Sequence, residues 1–287
     1  MRIILSLIFI FACVFGGFVV AGGNLAIAWQ PAEVVMIFGA GLGALFFGNP
    51  RYMLKKIAKH AKLAFKPRNE VTEREYYLEL MAVMQSLIVG VKKNGIKSLD
   101  EHIDSPESSS MFLSYPLVLE RKEIVTFLAD GLRMSAMGSI KPHEFEALLE
   151  TETNTILENN LHPASAVKHV GDALPGYGIM AAVLGIVITM ASIDGTIAQI
   201  GMLISIALMG TFMGIFGCYC IVGPLGSAMQ NRQERDIVAY HVVRMTLTAY
   251  VSNKSVVQSI DAGRRMLPFD LKPDFSEMET WLDNQDV

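Results

Sequence analysis

The segment Leu174–Ser192 reads LPGYGIMAAVLGIVITMAS and contains no charged side chain in 19 residues. A helix rises about 1.5 Å per residue, so this segment reaches ~28 Å, close to the ~30 Å hydrocarbon core of a bilayer. Three other segments share its apolar, uncharged character: Ile3–Gly22, Val34–Gly48 and Ile200–Val222. The sequence therefore predicts four membrane-spanning helices, joined in pairs by hairpin loops at 23–32 and 193–199.

Charged residues are unevenly distributed along the 287-residue chain, which is 52% apolar and 18% charged and has a formal net charge of −4. Residues 1–50 contain one basic and one acidic side chain, and residues 171–224 contain two acidic ones. Residues 51–170 contain 16 basic and 16 acidic side chains, and residues 225–287 contain 7 and 9. This alternation argues against a soluble enzyme and favours a membrane protein with cytosolic parts. No long basic arm is present, so we expect no nucleic-acid partner.

The same pattern gives the expected domain organisation of an all-α, four-span protein. Spans one and two occupy 1–50, a helical cytoplasmic lobe 51–170, spans three and four 171–224, and a helical cytoplasmic tail 225–287. Within the lobe, apolar residues recur at spacings of three and four over 73–93 and 117–138, and Pro142 begins a further helix over 142–160.

Basic residues next to the spans predict the orientation of the chain. Seven of them follow the second span with no acidic residue among them: Arg51, Lys55, Lys56, Lys59, Lys62, Lys66 and Arg68. The two hairpin loops contain no Lys or Arg. Because basic residues near span ends stay in the cytoplasm, we expect both termini, the lobe and the tail there, in a multi-pass membrane protein. A cleaved signal peptide over 1–22 is the competing interpretation, disfavoured by the length of the apolar run.

The basic segment 51–66 allows two interpretations. Its apolar residues alternate with lysines, which suits a helix lying along anionic lipid headgroups. It equally suits a solvated cytoplasmic helix that only follows the positive-inside bias. Membrane lipid is therefore a candidate partner.

Motifs for enzyme chemistry are weak. Gly39-Ala40-Gly41-Leu42-Gly43-Ala44 fits a loose dinucleotide-binding pattern, but it lies inside an apolar span without a βαβ context. Close packing of membrane helices explains Gly39 and Gly43 better. The six histidines do not occur at metal-ligand spacing, and the three cysteines lie inside spans. We expect no cofactor, no metal site and no enzymatic activity.

Polar and helix-bending residues within the membrane segments are the remaining candidates. Asp172 lies at the start of the third span, Thr189 and Thr211 lie inside spans three and four, and Pro175 and Pro224 bracket the pair. Charged or kinked positions in spans often mark a path for ions, whereas a threonine is often bonded only to its own helix. A proline at a span boundary is also often only a helix start or stop, and both interpretations stay open here.

Four motifs resemble those of MotA-type flagellar stator proteins. The first is ALMGTFMGIF at 207–216, followed after seven residues by Pro224. The others are Pro31-Ala32-Glu33, Gly171-Asp172-Ala173-Leu174-Pro175 and Ala262-Gly263-Arg264-Arg265. They follow the family order over nearly the whole chain, and the family has the same two-plus-two arrangement of spans.

The resemblance implies an ion-driven motor subunit in the inner membrane of a bacterial cell. Family members assemble as a pentamer around two copies of a MotB-type single-span subunit, which carries the ion-accepting Asp and a peptidoglycan-binding domain. The lobe of such a subunit pushes on the rotor's switch-ring protein. The alternatives are a TolQ/ExbB-like proton-channel subunit that energises outer-membrane transport, and a sodium-driven stator.

The resemblance also assigns roles in the ion pathway. Pro175 and Pro224 match two prolines whose helices couple protonation to movement. Asp172 matches an acid at the cytoplasmic end of the path, and Glu33 matches one at the periplasmic end. Sodium-driven relatives have a threonine at the position of Ala182.

An alanine at position 182 offers no oxygen to replace the hydration shell of sodium, so protons are the expected coupling ion. In sodium-driven relatives that threonine pairs with the residue matching Thr211, and Thr189 would compensate only in part here. In the lobe, Lys92 and Asp100 match a rotor-contacting Arg and Glu. The neighbouring charges Lys93, Lys97 and Glu101 are expected to share that contact.

Overall fold

The computed structural model describes residues 2–95, 102, 107–136, 138, 140–191 and 194–283. These residues form helices and turns, with no strand among them. Four helical segments are long and apolar enough to cross a membrane: Ile3–Val20, Leu25–Gly48, Pro142–Ala191 and Ile197–Val251. The predicted all-α, four-span fold class is thereby confirmed.

Two compact units divide the chain: Met1–Pro67 with Asn159–Gln233, here called the membrane unit, and Arg68–Glu158 with Glu234–Val287, here called the lobe unit. The helices of the first part of the chain are α1 (Arg2–Val20), α2 (Leu25–Ala28), α3 (Pro31–Gly48), α4 (Arg51–Phe65), α5 (Glu70–Asn94), α6 (Ser110–Leu113), α7 (Pro116–Leu119) and α8 (Lys122–Ala136). Those of the second part are α9 (Pro142–Ala191), α10 (Ile197–Phe216), a π-helical segment (Gly217–Val222), α11 (Gly223–Asp236), α12 (Val238–Val251), α13 (Val256–Arg264) and α14 (Phe275–Asp283).

The unit boundaries differ from those drawn on charge, because α4 packs with the helices of the membrane unit. Ile57 of α4 forms an apolar cluster with Ala164, Val167 and Met229. The charge pattern predicts which segments cross the bilayer, whereas these contacts show which helices pack into a common core. Segments 159–170 and 225–233 therefore belong to the membrane unit despite their charged residues.

The third span is part of a much longer helix than the sequence pattern indicated. Two separate helices were expected at 142–160 and in the third span, but α9 runs 50 residues from Pro142 to Ala191. Pro163 and Pro175 lie inside it. The interpretation of Pro175 as a helix start is therefore wrong, since this proline comes 33 residues after the start of its helix.

The fourth span contains a π-helical segment that the sequence did not predict. The N–H of Gly223 donates to the carbonyl of Cys218, five residues earlier. Pro224 follows at once, and it has no N–H for the carbonyl of Cys220. The wider π turn places the extra backbone residue beside the proline. The chain continues as helix in α11, so Pro224 does not terminate the helix.

Local side-chain caps decide where the spans begin. Thr196 and Gln199 form a reciprocal capping box that starts α10 at Ile197, three residues before the expected start. In the first hairpin, Asn24 caps the single turn α2, where only a loop was expected. Pro31 occupies the first turn of α3, so Glu33 belongs to that helix rather than to the loop before it.

The lobe unit has one main core around α5, whose Tyr76, Leu80, Met84 and Ile88 are fully buried. The helix expected at 117–138 is divided into α7 and α8. The Glu79 carboxylate accepts a 2.9 Å hydrogen bond from the N–H of Leu117 and fixes the start of α7.

Candidate functional site

Helices α9 and α10 approach each other so closely that only glycine fits at their contact. A Cβ added at Gly178 would lie 2.7 Å from the carbonyl oxygen of Gly210. A Cβ at Gly214 would lie 2.6 Å from the carbonyl oxygen of Leu174, and one at Gly185 would lie 2.9 Å from Cβ of Ala207. We call this contact the glycine seam. Small residues allow such backbone approach between membrane helices.

Among the described residues of this chain, Gly41 packs against another helix, whereas Gly39 and Gly43 do not. No atom lies within 4 Å of a Cβ added at Gly39 or Gly43. Gly41, between them, faces side-chain atoms of Leu174 and Val170 at 3.2 and 3.3 Å. Residues 39 and 43 lie on one face of α3 and residue 41 lies on another. The glycine spacing in the sequence therefore did not predict which face of α3 packs within this chain.

Glu33 reaches from α3 to the glycine seam. Its side chain is 3% exposed, and its Oε2 has no hydrogen-bond partner among the described residues. A Cβ added at Gly210 would lie 2.5 Å from this oxygen and 3.4 Å from Cβ of Ala181. The carboxyl group therefore occupies the space that glycine leaves open at position 210.

The position of Glu33 along the neighbouring helices follows from its contacts. Gly210 lies 13 residues after Ile197, or ~20 Å along α10. Ala181 lies 10 residues before Ala191, the last residue of α9. The Glu33 side chain therefore contacts α9 and α10 well inside both helices, and its role at the periplasmic end of the ion path stays a prediction.

Ala182 and Thr211 stand at one level of the seam, because each directly follows a residue of the contact between Ala181 and Gly210. Ala182 is buried and Thr211 is half-buried. The hydroxyl of Thr189 is also buried, but it donates a 2.9 Å hydrogen bond to the carbonyl of Gly185 in its own helix. Thr189 thus forms the self-bonded arrangement that is common for threonine in membrane helices.

Asp172 is exposed on α9, Pro175 is half-buried and Pro224 is exposed. Gly171, which precedes Asp172, faces Val222 of the π-helical segment, since its added Cβ would lie 3.1 Å from Cγ1 of that valine. The two proline-containing stretches are therefore neighbours within the membrane unit.

The expected rotor-contacting residues are described only in part. Lys92 and Lys93 lie in the last turn of α5, are exposed and make no ion pair with another described residue. Lys97, Asp100 and Glu101 lie outside the described residues. Lys92 also lines an open cleft of about 450 Å³ together with Asn253 and Lys254.

The Ala262-Gly263-Arg264-Arg265 motif has a structural role in the lobe unit. A Cβ at Gly263 would lie 2.1 Å from Oγ1 of Thr246, so the glycine lets α13 pack on α12. Arg264 donates to Asp261 at 2.8 Å and to the carbonyl of Pro273 at 2.9 Å, and Arg265 donates to Asp261 at 2.8 Å. Burial raises the pKa of Asp261, but the hydrogen bonds from Arg265 and Arg264 outweigh it and lower the pKa below its ordinary value.

Arg232 joins α4 to α11 within the membrane unit. Its Nη1 donates to the carbonyl oxygens of Leu63 at 2.8 Å and Lys66 at 2.9 Å, which satisfies acceptors at the end of α4. The opposite face of α4 exposes its basic side chains: Arg51, Lys55, Lys59 and Lys62. This packing fits either interpretation of the basic segment, so contact with membrane lipid stays a prediction.

Comparison with known proteins decides the family. The model of the motility protein A N-terminal region matches residues 4–95, and that of the MotA/TolQ/ExbB proton channel family matches residues 120–241. Chemotaxis protein LafT of Vibrio parahaemolyticus is 47% identical over 286 residues, or 100% of both chains. Motility protein A of Salmonella typhimurium is 34% identical over 279 residues, covering 97% of this chain and 94% of that protein. The chain belongs to the MotA family.

Solved structures show that this MotA-family chain also has the MotA fold. The structure of C. jejuni MotAB has a TM-score of 0.72 at 17% identity, covering 94% of this chain and 96% of that one. The flagellar MotAB stator complex from Bacillus subtilis has a TM-score of 0.68 at 19% identity, covering 90% and 92%. The resemblance inferred from the motifs is confirmed, and this MotA-family chain is a membrane protein of a channel family rather than an enzyme.

Proposed function

We propose that this protein is the membrane-embedded subunit of a flagellar stator, which couples proton flow to torque on the rotor. Its full-length similarity to chemotaxis and motility proteins carries the proposal. The structure supports it with a seam of buried small residues in the membrane unit, at which Glu33, Ala182 and Thr211 lie.

A single-span partner of the MotB type completes the channel. The two structures with the same fold are MotAB complexes. The chain itself leaves an apolar face of α9 uncovered, including Val183, Ile186, Val187 and Met190. By family resemblance, five copies of this chain surround the partner's spans, and this face contacts the partner, another copy or lipid.

Protons are the coupling ion of this complex. Sodium exchanges its water shell for several oxygen ligands, whereas a proton needs only titratable groups and water. Ala182 supplies no ligand, and the hydroxyl hydrogen of Thr189 is already used by Gly185. Of the two threonines, Thr189 and Thr211, only Thr211 makes no hydrogen bond with a described residue. One free hydroxyl is too few oxygen ligands for sodium.

Movement is transmitted through α9 and through the continuous helical segment from α10 to α11, which both extend beyond the predicted spans. Pro175 interrupts the hydrogen-bonding pattern inside α9, and the π-helical segment with Pro224 does so between α10 and α11. Each interruption allows two helix geometries of similar energy, between which protonation of the partner's acid selects. The exposed Lys92 and Lys93 meet acidic groups of the rotor's switch ring.

The orientation that fits this function places both termini and the lobe unit in the cytoplasm and the spans in the inner membrane. The basic residues of α4 directly after α3 support this orientation.

Co-expression with a MotB-type partner in a strain that lacks its own stator tests the proposal. We expect the two proteins to co-purify and to restore rotation. An absence of co-purification with any MotB-type protein encoded beside this chain would contradict it.

A further inference from the structure

We propose that Arg68 and Asp236 form an ionic clamp, which makes two of the three chain connections between the membrane unit and the lobe unit move together. The inference rests on the proposed function and deepens it, because a stator must carry movement from its spans to its lobe. Arg68 and Asp236 are positioning residues in this account. Neither is among the residues assigned to the ion pathway or to the rotor contact.

The chain passes between the two units at three places: after Pro67, after Glu158 and after Gln233. The second passage lies inside α9, which is one continuous helix of 50 residues. The third lies inside α11, which continues to Asp236. The first lies at 66–69, between α4 and α5, where the chain is not helical. Two connections therefore consist of helix, whereas the first depends on side-chain contacts to hold it in place.

On the membrane-unit side, Arg232 of α11 holds the end of α4. Its Nη1 donates to the carbonyl oxygens of Leu63 at 2.8 Å and Lys66 at 2.9 Å. All three residues belong to the membrane unit. The first and third connections therefore leave this unit next to each other.

On the lobe-unit side, Arg68 holds the end of α11. Its Nη2 donates to Oδ1 of Asp236, the last residue of α11. The same nitrogen lies 3.5 Å from Oε2 of Glu73, in the first turn of α5. All three residues belong to the lobe unit, so the two connections also enter this unit as a pair.

Glu73 continues the clamp into the core of the lobe unit. Its Oε1 accepts a 2.6 Å hydrogen bond from Nη2 of Arg121, whose Cζ lies 3.6 Å from the centre of the Tyr76 ring. Tyr76 is fully buried, so the core fixes this end of the clamp. The side chains of Arg68 and Glu73 are only 18% and 15% exposed. Salt screens such partly buried pairs less than it screens exposed ones.

The clamp supplies the stiffness that the first connection lacks. A non-helical segment such as 66–69 can rotate about its φ and ψ angles, so by itself it would let α5 move independently of α11. The contacts of Arg68 with both Asp236 and Glu73 remove that freedom. A displacement of α11 therefore carries the start of α5 with it.

The two joined helices are the ones that the proposed function connects. Helix α11 follows the π-helical segment directly and contains Pro224. Helix α5 contains Lys92 and Lys93 of the expected rotor contact in its last turn. The clamp therefore joins the end of a pathway helix to the start of the helix that carries the rotor-contacting lysines.

Rotation of tethered cells, recorded together with complex yield, tests the clamp. We expect Arg68→Gln and Asp236→Asn each to lower the torque at least twofold while the yield of the complex with its partner stays unchanged. Arg74→Gln is the matched control and should rotate normally. Arg74 also binds a carboxylate of the lobe unit, that of Glu277 at 2.6 Å, but this pair is exposed and lies at none of the three connections.

A crosslink separates a mechanical role from a contribution to stability. Arg68→Cys with Asp236→Cys is compared with Arg74→Cys with Glu277→Cys, and each is treated in cells with a short, membrane-permeant bis-maleimide. We expect the reagent to raise the speed of the first variant at least twofold relative to the second. Effects of the reagent on the native cysteines are common to both variants and cancel in this ratio.

Wild-type torque in both Arg68→Gln and Asp236→Asn would overturn the inference. An equal response of the two cysteine pairs to the crosslinker would also overturn it, and would assign the ion pair to lobe stability alone. If the wild-type complex itself produces no rotation, the proposed function fails instead.

Discussion

The N–H of Gly223 donates to the carbonyl of Cys218 rather than to that of Tyr219, so the fourth span widens to a π-helix immediately before Pro224. Single π turns within helices occur often at functional sites. Pro175 produces a second interruption inside α9, where it cannot donate to the carbonyl of Gly171. The membrane unit thus has two weakened helix turns, and residues 171 and 222 bring them into contact.

Replacing either proline by alanine tests whether these turns switch. Pro175→Ala and Pro224→Ala restore a backbone donor and straighten the helix, so we expect normal complex yield and little or no rotation of tethered cells. Pro163→Ala is the matched control, since Pro163 also lies inside α9 but is not among the residues assigned to the ion pathway. Near-normal torque in both test variants would show that the prolines only accommodate the fold.

The glycine seam should tolerate no side chain. Gly178→Ala and Gly214→Ala would each place a Cβ less than 3 Å from backbone atoms of the opposite helix, which cannot move as a side chain can. Overpacking of this kind lowers the free energy of unfolding by ~1–3 kcal/mol. We expect lower thermal stability and lower yield of the detergent-solubilised protein. Gly176→Ala, with no atom within 4 Å, should behave as wild type, and equal stability of all three variants would contradict the close contact.

Charge reversal at the end of α5 tests the rotor contact. Lys92→Glu combined with Lys93→Glu should impair swimming while leaving complex yield unchanged, because both side chains are exposed. A single exposed pair contributes ~1 kcal/mol or less, so the double change is needed for a clear effect. An acidic-to-basic reversal on the switch ring should restore part of the motility. Wild-type swimming of the double variant would remove these lysines from the mechanism.

The lobe unit should lose stability in mild acid through His241. Burial, and then the neighbouring Arg244, lower the pKa of His241 below its ordinary value of 6.5, while Glu150 opposes the shift. Below pH 6.5 the unfolded chain therefore binds a proton that the folded chain does not, so the free energy of unfolding rises with pH in that range. Thermal unfolding of the solubilised protein between pH 5 and 7 should show this slope. His241→Gln should flatten it, and an unchanged slope would assign the effect to other groups.

The spans could be predicted from the sequence because a bilayer requires long uncharged stretches, and Leu174–Ser192 has no other simple explanation. The family could be inferred because Gly210 and Gly214 belong to the motif at 207–216, which resembles that of MotA-type proteins. Their physical reason became visible only in the structure, where Gly214 lies against backbone of α9 and Gly210 leaves room for the side chain of Glu33.

The contact of Glu33 with Gly210 and the π turn could not be predicted from the sequence. Glu33 precedes the apolar run of its own helix, and only the packing of α3 on α10 shows that its side chain meets Gly210. The π turn depends on one backbone bond from Gly223 to Cys218, for which an apolar segment gives no periodic signal. The sequence predicted two helices where α9 is one. The polar part of α9, from Pro142 to Asp172, differs from its apolar part in composition but not in backbone conformation.

Rotation speed measured against two ion gradients tests the central claim most directly. In a strain whose only stator is this protein with its MotB-type partner, tethered-cell speed is recorded while external sodium and the proton-motive force are varied separately. We predict that speed follows the proton-motive force, stops with a protonophore and does not change when sodium is removed. Speed that follows external sodium at constant proton-motive force would contradict the account.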